Sequence, residues 1–236
     1  MKKSHIATLI VFLVLIPLTL IVGSRLSGRA FYVTSTLVIV ELLIPFFLAF
    51  EGRRPQAREL VVLAVMCALA VAGRVAIPIP SFKAIFGIIM IAGIAFGPES
   101  GFLVGAISAL ASNFFYSQGP YTPWQMMAYG AGGMLAGFVF AEGRLPRKPV
   151  IMGIFGFLAV AFFVGPLLDT CSVFLVMSRI TLKGAMAFYI SGFPVNLRQA
   201  VATAIVLLVL GKPLLEKLDR IKTKYGILDD EGRKEA

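Results

Sequence analysis

Histidine is almost absent from this 236-residue chain, tryptophan occurs once, cysteine twice, and acidic residues number 12. The single His5 lies in the N-terminal flank, so no histidine-based catalytic or metal constellation can be assembled. Cys67 and Cys171 both fall within apolar runs, without a CxxC or Cys/His cluster. That pattern indicates neither a disulfide framework nor a metal site and leaves helix packing as their role. An intramembrane protease or lipid-modifying transferase would need His, Glu, Asp or Ser groups clustered at facing helical positions. No such cluster is found, and neither an enzymatic activity nor a covalently bound cofactor is expected.

Charge is scarce as well: 14% of residues are charged while 58% are apolar. Soluble domains carry about a quarter charged residues, so the composition implies an integral membrane protein. A bilayer core of about 30 Å needs roughly 20 apolar residues per spanning helix, which allows one all-α, polytopic domain of six to eight spans. Two apolar stretches come first, near residues 5–22 and 31–50, separated by the basic turn SRLSGR. A basic segment before an apolar run resembles a signal peptide, but no A-x-A pattern follows and a second span comes directly after. A retained transmembrane hairpin with its basic linker is therefore expected over residues 1–58.

After EGRRPQARE, six further spans are expected near residues 60–77, 84–96, 101–115, 124–141, 149–176 and 187–211. They would form a membrane domain over residues 59–225, followed by a polar tail at 226–236. The second span is short for a crossing, which is tolerated where a helix is buried among others or lines a cavity. The fifth contains Gly165-Pro166 and is expected to kink there or end early.

Lys and Arg accumulate in short cytoplasmic loops. With both termini inside, Lys2 and Lys3, Arg53, Arg54 and Arg58, Arg144, Arg147 and Lys148, and the tail from Lys212 onward place most of the 22 basic residues in the cytoplasm. The net charge of +10 thus reflects flanks that meet anionic headgroups and does not imply nucleic acid. Three small-residue series recur at intervals of four: Ala64, Ala68 and Ala72; Gly97, Gly101, Gly105 and Ala109; and Gly133 with Gly137. Such stripes let helices approach closely in lipid. Spacing alone favours internal packing for each of them.

The stretch SNFFYSQGPYTPWQMMAYGAGG breaks the apolar pattern without a single charge. Phe115, Tyr116, Tyr121 and Trp124 offer flat faces, while Asn113, Gln118 and Gln125 offer amide donors and acceptors. Pro120 and Pro123 restrict the backbone. An interfacial aromatic belt is the alternative; three amides beside the rings favour a binding pocket. Ionisable groups within or near spans are Glu41, Arg74, Asp169 and Arg198. Such groups face the bundle interior, pair, or snorkel. Arg74, and Arg198 with Asn196, are placed to reach a ligand, and an Asp169–Arg198 ion pair is an equal alternative. Lys83 and Arg179 either attract an anionic group or sit in solvent.

The order of these segments resembles the substrate-binding S component of energy-coupling factor (ECF) vitamin transporters. The resemblance rests on the Ala-x-x-x-Ala helix, a short second span, FGPESGFLVGAISALASNFF, GPYTPWQMMAYGAGGMLAG and the terminal LLVLGKPLLEKLDRIKTKYG, and it covers residues 59–226. It implies a plasma-membrane protein without enzymatic activity, with a six-helix core preceded here by two extra helices. Such a protein captures a micronutrient outside and delivers it through a T component driven by two cytoplasmic ATPases, so that ATP is used by the partners. It also implies that the S component topples in the membrane. By position, Ala64, Ala68 and Ala72 match the motif that meets the T component. The loop pattern looks most like the cobalamin-type group, and a corrinoid rimmed with amides would suit an uncharged aromatic loop. An S component for another vitamin or a nucleobase-like micronutrient, and a non-transporting scaffold, are the alternatives.

Overall fold

A computed structural model of the chain describes residues 57–140, 143–177 and 180–226, with scattered positions between 15 and 44. Most of the expected N-terminal hairpin, Arg179 and the tail beyond residue 226 lie outside the described residues. Those residues form helices and no strand, as the all-α reading expects.

Helix α1 (Ala57–Val75) has Glu59 in its first turn and Arg74 in its last, complementing the helix dipole at both ends. It buries Leu63, Met66, Cys67 and Ala70; spacings of three and four put them on one face. Helix α2 (Ile85–Phe96) buries all twelve of its residues. At 1.5 Å per residue it is about 18 Å long, too short to cross a bilayer alone, and it sits among α1, α3, α4 and α7. Gly97 ends α2 with φ +91° and its N–H bonded to the Gly93 carbonyl, and Pro98 then opens α3 (Pro98–Tyr116). A glycine at positive φ followed by proline at N1 turns the chain sharply, and the proline brings no N–H that would need a partner.

Helix α4 (Thr122–Phe140) lies closely against α3. A Cβ on Gly101 would meet the Gly133 carbonyl oxygen at 2.5 Å, one on Gly105 would strike the Tyr129 carbonyl, and one on Gly137 would meet the Pro98 backbone at 2.6 Å. Gly101, Gly105, Gly133 and Gly137 of the second and third small-residue series therefore serve internal backbone contact, whereas Gly97 serves the turn. Two of the described N-terminal positions reach this pair and its connecting loop: Leu43 packs with Phe102 and Ala106, and Thr36 Oγ1 donates to the Pro120 carbonyl at 3.4 Å.

Helix α5 (Pro149–Ala159), a π segment (Val160–Val164) and α6 (Gly165–Val176) form one continuous run of 28 residues. The expected early end does not occur. The wider π turns immediately before Pro166 accommodate the missing N–H and the ring's clash with the preceding turn. Helix α7 (Leu182–Tyr225) is capped by Thr181, whose hydroxyl accepts the Gly184 N–H at 3.2 Å, and it closes on Gly226 at φ +59°. It extends well past the span expected to end at residue 211, because Leu215 and Leu218 remain buried at helical spacing while polar residues cover the other face. By length and composition, Pro149–Val176 and Leu182–Tyr225 can each cross a membrane.

At the end of the bundle that carries the chain's tail, Arg147 pairs with Asp219 at 3.3 Å and donates to the Ile94 carbonyl at 3.2 Å. Lys222 donates to the Ala95 carbonyl at 2.7 Å. Two cations thus satisfy the last carbonyls of α2, where a helix dipole is negative.

Candidate functional site

The opposite end, here termed the mouth, carries the loops at residues 76–84 and 117–121, the end of α6 at residue 177 and the start of α7 at residues 180–182. Its polar groups begin with Arg74, which reaches from α1 to α3. Arg74 Nη1 donates to Ser112 Oγ at 2.5 Å and to Asn113 Oδ1 at 2.9 Å. Asn113 Nδ2 donates in turn to Thr122 Oγ1 at 3.1 Å and Gln125 Oε1 at 2.8 Å on α4. Both Ser112 and Asn113 have no solvent exposure. Asn113 therefore organises three helices around its amide and does not offer that amide outward.

The loop after α3 begins at Ser117, with φ +83°, and is tied locally. Thr122 Oγ1 donates to Gln118 Oε1 at 2.9 Å, Gln118 Nε2 to the Leu110 carbonyl at 3.0 Å, and Tyr121 OH to the Ser117 carbonyl at 2.7 Å. Gln118 and Tyr121 thereby shape the loop. Tyr116 OH donates to the Arg74 carbonyl at 3.0 Å, and the Arg74 guanidinium lies 4.9 Å from the Tyr116 ring centroid and 5.6 Å from that of Tyr129. Tyr129 in turn meets Phe86 edge to face at 4.5 Å.

A second polar group lies between α6 and α7. Asn196 Nδ2 donates to Asp169 Oδ2 at 2.7 Å, and Thr170 and Tyr189 share a hydrogen bond of 2.8 Å; from α7, Gln199 Nε2 also donates to the Lys83 carbonyl in the loop before α2 at 2.9 Å. The close approach of these helices needs Gly165 and Gly192, where a Cβ would strike Asn196 and Asp169. The Asp169–Arg198 ion pair is not formed. Arg198 is exposed and its Nε donates to the Pro194 carbonyl at 3.4 Å. Two residues beyond buried Asn196, it stands about 200° further round the helix, which removes it from the mouth cluster.

Trp124 on α4 stacks on Phe174 of α6, with ring centroids 5.4 Å apart and planes 28° from parallel. Its Nε1 is buried and has no hydrogen-bond partner among the described residues. A buried indole N–H without an acceptor is costly, and here it belongs to an aromatic pair bridging two helices. Sequence reasoning passed over Ser112, Thr122, Tyr129, Phe174 and Gln199. Only Gln199 carried a usable signal, standing three residues from Asn196 on the same helical face.

Ala64, Ala68 and Ala72 are all exposed. They line an apolar groove of about 620 Å³ between α1 and α3, walled by Leu60, Val75, Ile107 and Phe115. The stripe that spacing alone would assign to internal packing faces outward instead. No group of three or more His, Cys, Asp or Glu that could hold a metal occurs among the described residues.

Against known families, residues 55–216 match the one described as ECF-type riboflavin transporter, S component. No curated protein and no solved structure shows a significant match. The match encloses α1 to α6 and most of α7, and with them both polar groups of the mouth and the alanine groove. Spanning more than half of the chain, it identifies this protein as a member of the family of ECF-type riboflavin transporter S components, membrane proteins of vitamin transport.

Proposed function

We propose that this S component captures a flavin-like micronutrient at the mouth and hands it inward through a T component energised by two ATPases. The mouth faces outward in this reading, because Arg58, Arg144, Arg147, Lys148 and the basic turns of α7 all lie at the other end, which the distribution of Lys and Arg makes cytoplasmic. Both termini are then cytoplasmic.

The observation that carries the substrate class is the Trp124–Phe174 stack, whose indole N–H has no partner among the described residues. A planar heteroaromatic ring has two faces for stacking and acceptor atoms at its edge. A flavin supplies both. The corrinoid expected from the uncharged loop finds no support in a family whose description names riboflavin. Ala64, Ala68 and Ala72 serve as the T-component surface, because an open apolar groove floored by small side chains admits the close approach of another helix.

Purification of the full chain from cells rich in cofactors, with identification of any small molecule that accompanies it, tests this reading. The expected outcome is a yellow flavin spectrum. A red corrinoid, or a preparation that binds neither class on titration, would count against it.

A further inference from the structure

Two cations at the mouth have no carboxylate partner among the described residues. Arg74 and Lys83 approach the same ring, that of Tyr116, at 4.9 Å and 5.9 Å from its centroid. The Lys83 ammonium donates to the Ile77 carbonyl. Asp169 accepts from Asn196 at 2.7 Å, and Glu41 accepts from Thr19 at 2.6 Å through one oxygen while its other, Oε2, is buried without a hydrogen-bond partner among the described residues. Within a membrane bundle an uncompensated cation is costly and marks a functional site by default.

The guanidinium is also used on one side only. Its hydrogen bonds to Ser112 and Asn113 both leave from Nη1, so among the described residues the edge formed by Nε and Nη2 keeps its donors. That edge matches an oxyanion in bidentate geometry, which a single amide or hydroxyl cannot exploit. Because Ser112 and Asn113 are fully buried, they hold Arg74 in place from behind, and little side-chain entropy remains to be lost when an anion arrives. Tyr116 is 44% exposed, so the ring that both cations approach is accessible.

We infer that Arg74 and Lys83, set about the Tyr116 ring, form an anion site at the mouth that takes a phosphate group. The inference rests on the capture reading above where the phosphate is an ester on the captured ligand. A phospholipid headgroup would present the same chemistry. On this view the mouth favours the phosphorylated form of its ligand over the neutral one.

Full-length protein in a maltoside detergent, free of phospholipid, is titrated with riboflavin, with riboflavin 5′-phosphate and with inorganic phosphate, at low and high salt. The phosphate ester is expected to bind about tenfold more tightly than the neutral flavin, the worth of one charge-assisted hydrogen-bond pair. That advantage should shrink with salt and disappear in Arg74→Gln and in Lys83→Gln. The second variant keeps the test open if loss of Arg74 disturbs folding. Equal affinities for the two flavins overturn the anion site and leave the capture reading standing. If neither flavin binds while inorganic phosphate still raises the thermal midpoint of wild type and of neither variant, the flavin reading falls and the anion site stands. No response to any of the three overturns both. Repeating the titration in phosphatidylglycerol nanodiscs separates the sources: loss of the ester's advantage there supports headgroup occupancy of the same site, and an unchanged advantage supports the soluble ligand.

Discussion

Asn113 shows how one amide can hold the end of a helical bundle together. Its oxygen takes the Arg74 guanidinium and its nitrogen serves both Thr122 and Gln125, so three helices share one fully buried side chain. Removing it leaves a cation and two polar groups short of a partner. Asn113→Ala is expected to cost about 2–4 kcal/mol and to lower the thermal midpoint in detergent. Gln118→Ala, at an exposed position bonded to the Leu110 carbonyl, should cost under about 1 kcal/mol. A larger loss at residue 118 than at 113 would contradict this account. The residue types at the mouth were legible in the sequence, because Tyr, Trp and amides stand out against an apolar background. Their division of labour was not. Whether an amide points inward to a neighbouring helix or outward depends on rotation about the helix axis and on what lies opposite, and the residue string fixes neither. Arg198 illustrates the point, since its nearness to Asn196 in the chain becomes opposite sides of α7 in space.

Among the elements, the contrast between the alanine and glycine stripes is instructive. Both repeat every fourth residue, yet Gly101 and Gly105 meet the α4 backbone while Ala64 and Ala68 are exposed. Glycine permits contact between two backbones, whereas alanine leaves a shallow floor that a side chain or another helix can cover. Ala68→Trp, which fills the α1–α3 groove, is expected to abolish vitamin uptake and co-purification with a T component while leaving flavin binding by the isolated protein unchanged. Pull-down and ligand titration on one preparation check this, and retained co-purification would remove the groove from the interface. Apolar periodicity located α2 and α3 closely, expected at 84–96 and 101–115 and observed at Ile85–Phe96 and Pro98–Tyr116. It missed the last turns of α7, because a window tuned to fully apolar runs stops at Gly211, where the helix becomes one-sided.

For the whole molecule, the tail end works as a clasp. Arg147 joins the segment before α5 to α7 through Asp219 and to α2 through Ile94, and Lys222 repeats the tie at Ala95. The Arg147–Asp219 pair is half exposed and by itself contributes under about 1 kcal/mol. Capping the α2 carbonyls adds to it. Arg147→Ala combined with Lys222→Ala is expected to lower stability by about 1–2 kcal/mol, and hydrogen exchange should rise in the last turn of α2 ahead of the mouth. Uniform exchange across the bundle would show that the clasp is not a separate unit.

Helix α7 has a consequence of a different kind. Its 44 residues make it about 66 Å long at 1.5 Å per residue, roughly twice the hydrocarbon thickness. It is bound to α2, α5 and α6 along its course, so any change in the tilt of the bundle is carried to its tip. Each degree of tilt displaces that tip by about 1 Å relative to its start. A fluorophore near Tyr225 would therefore act as the hand of a dial, reporting small reorientations of the bundle that would be invisible at the mouth.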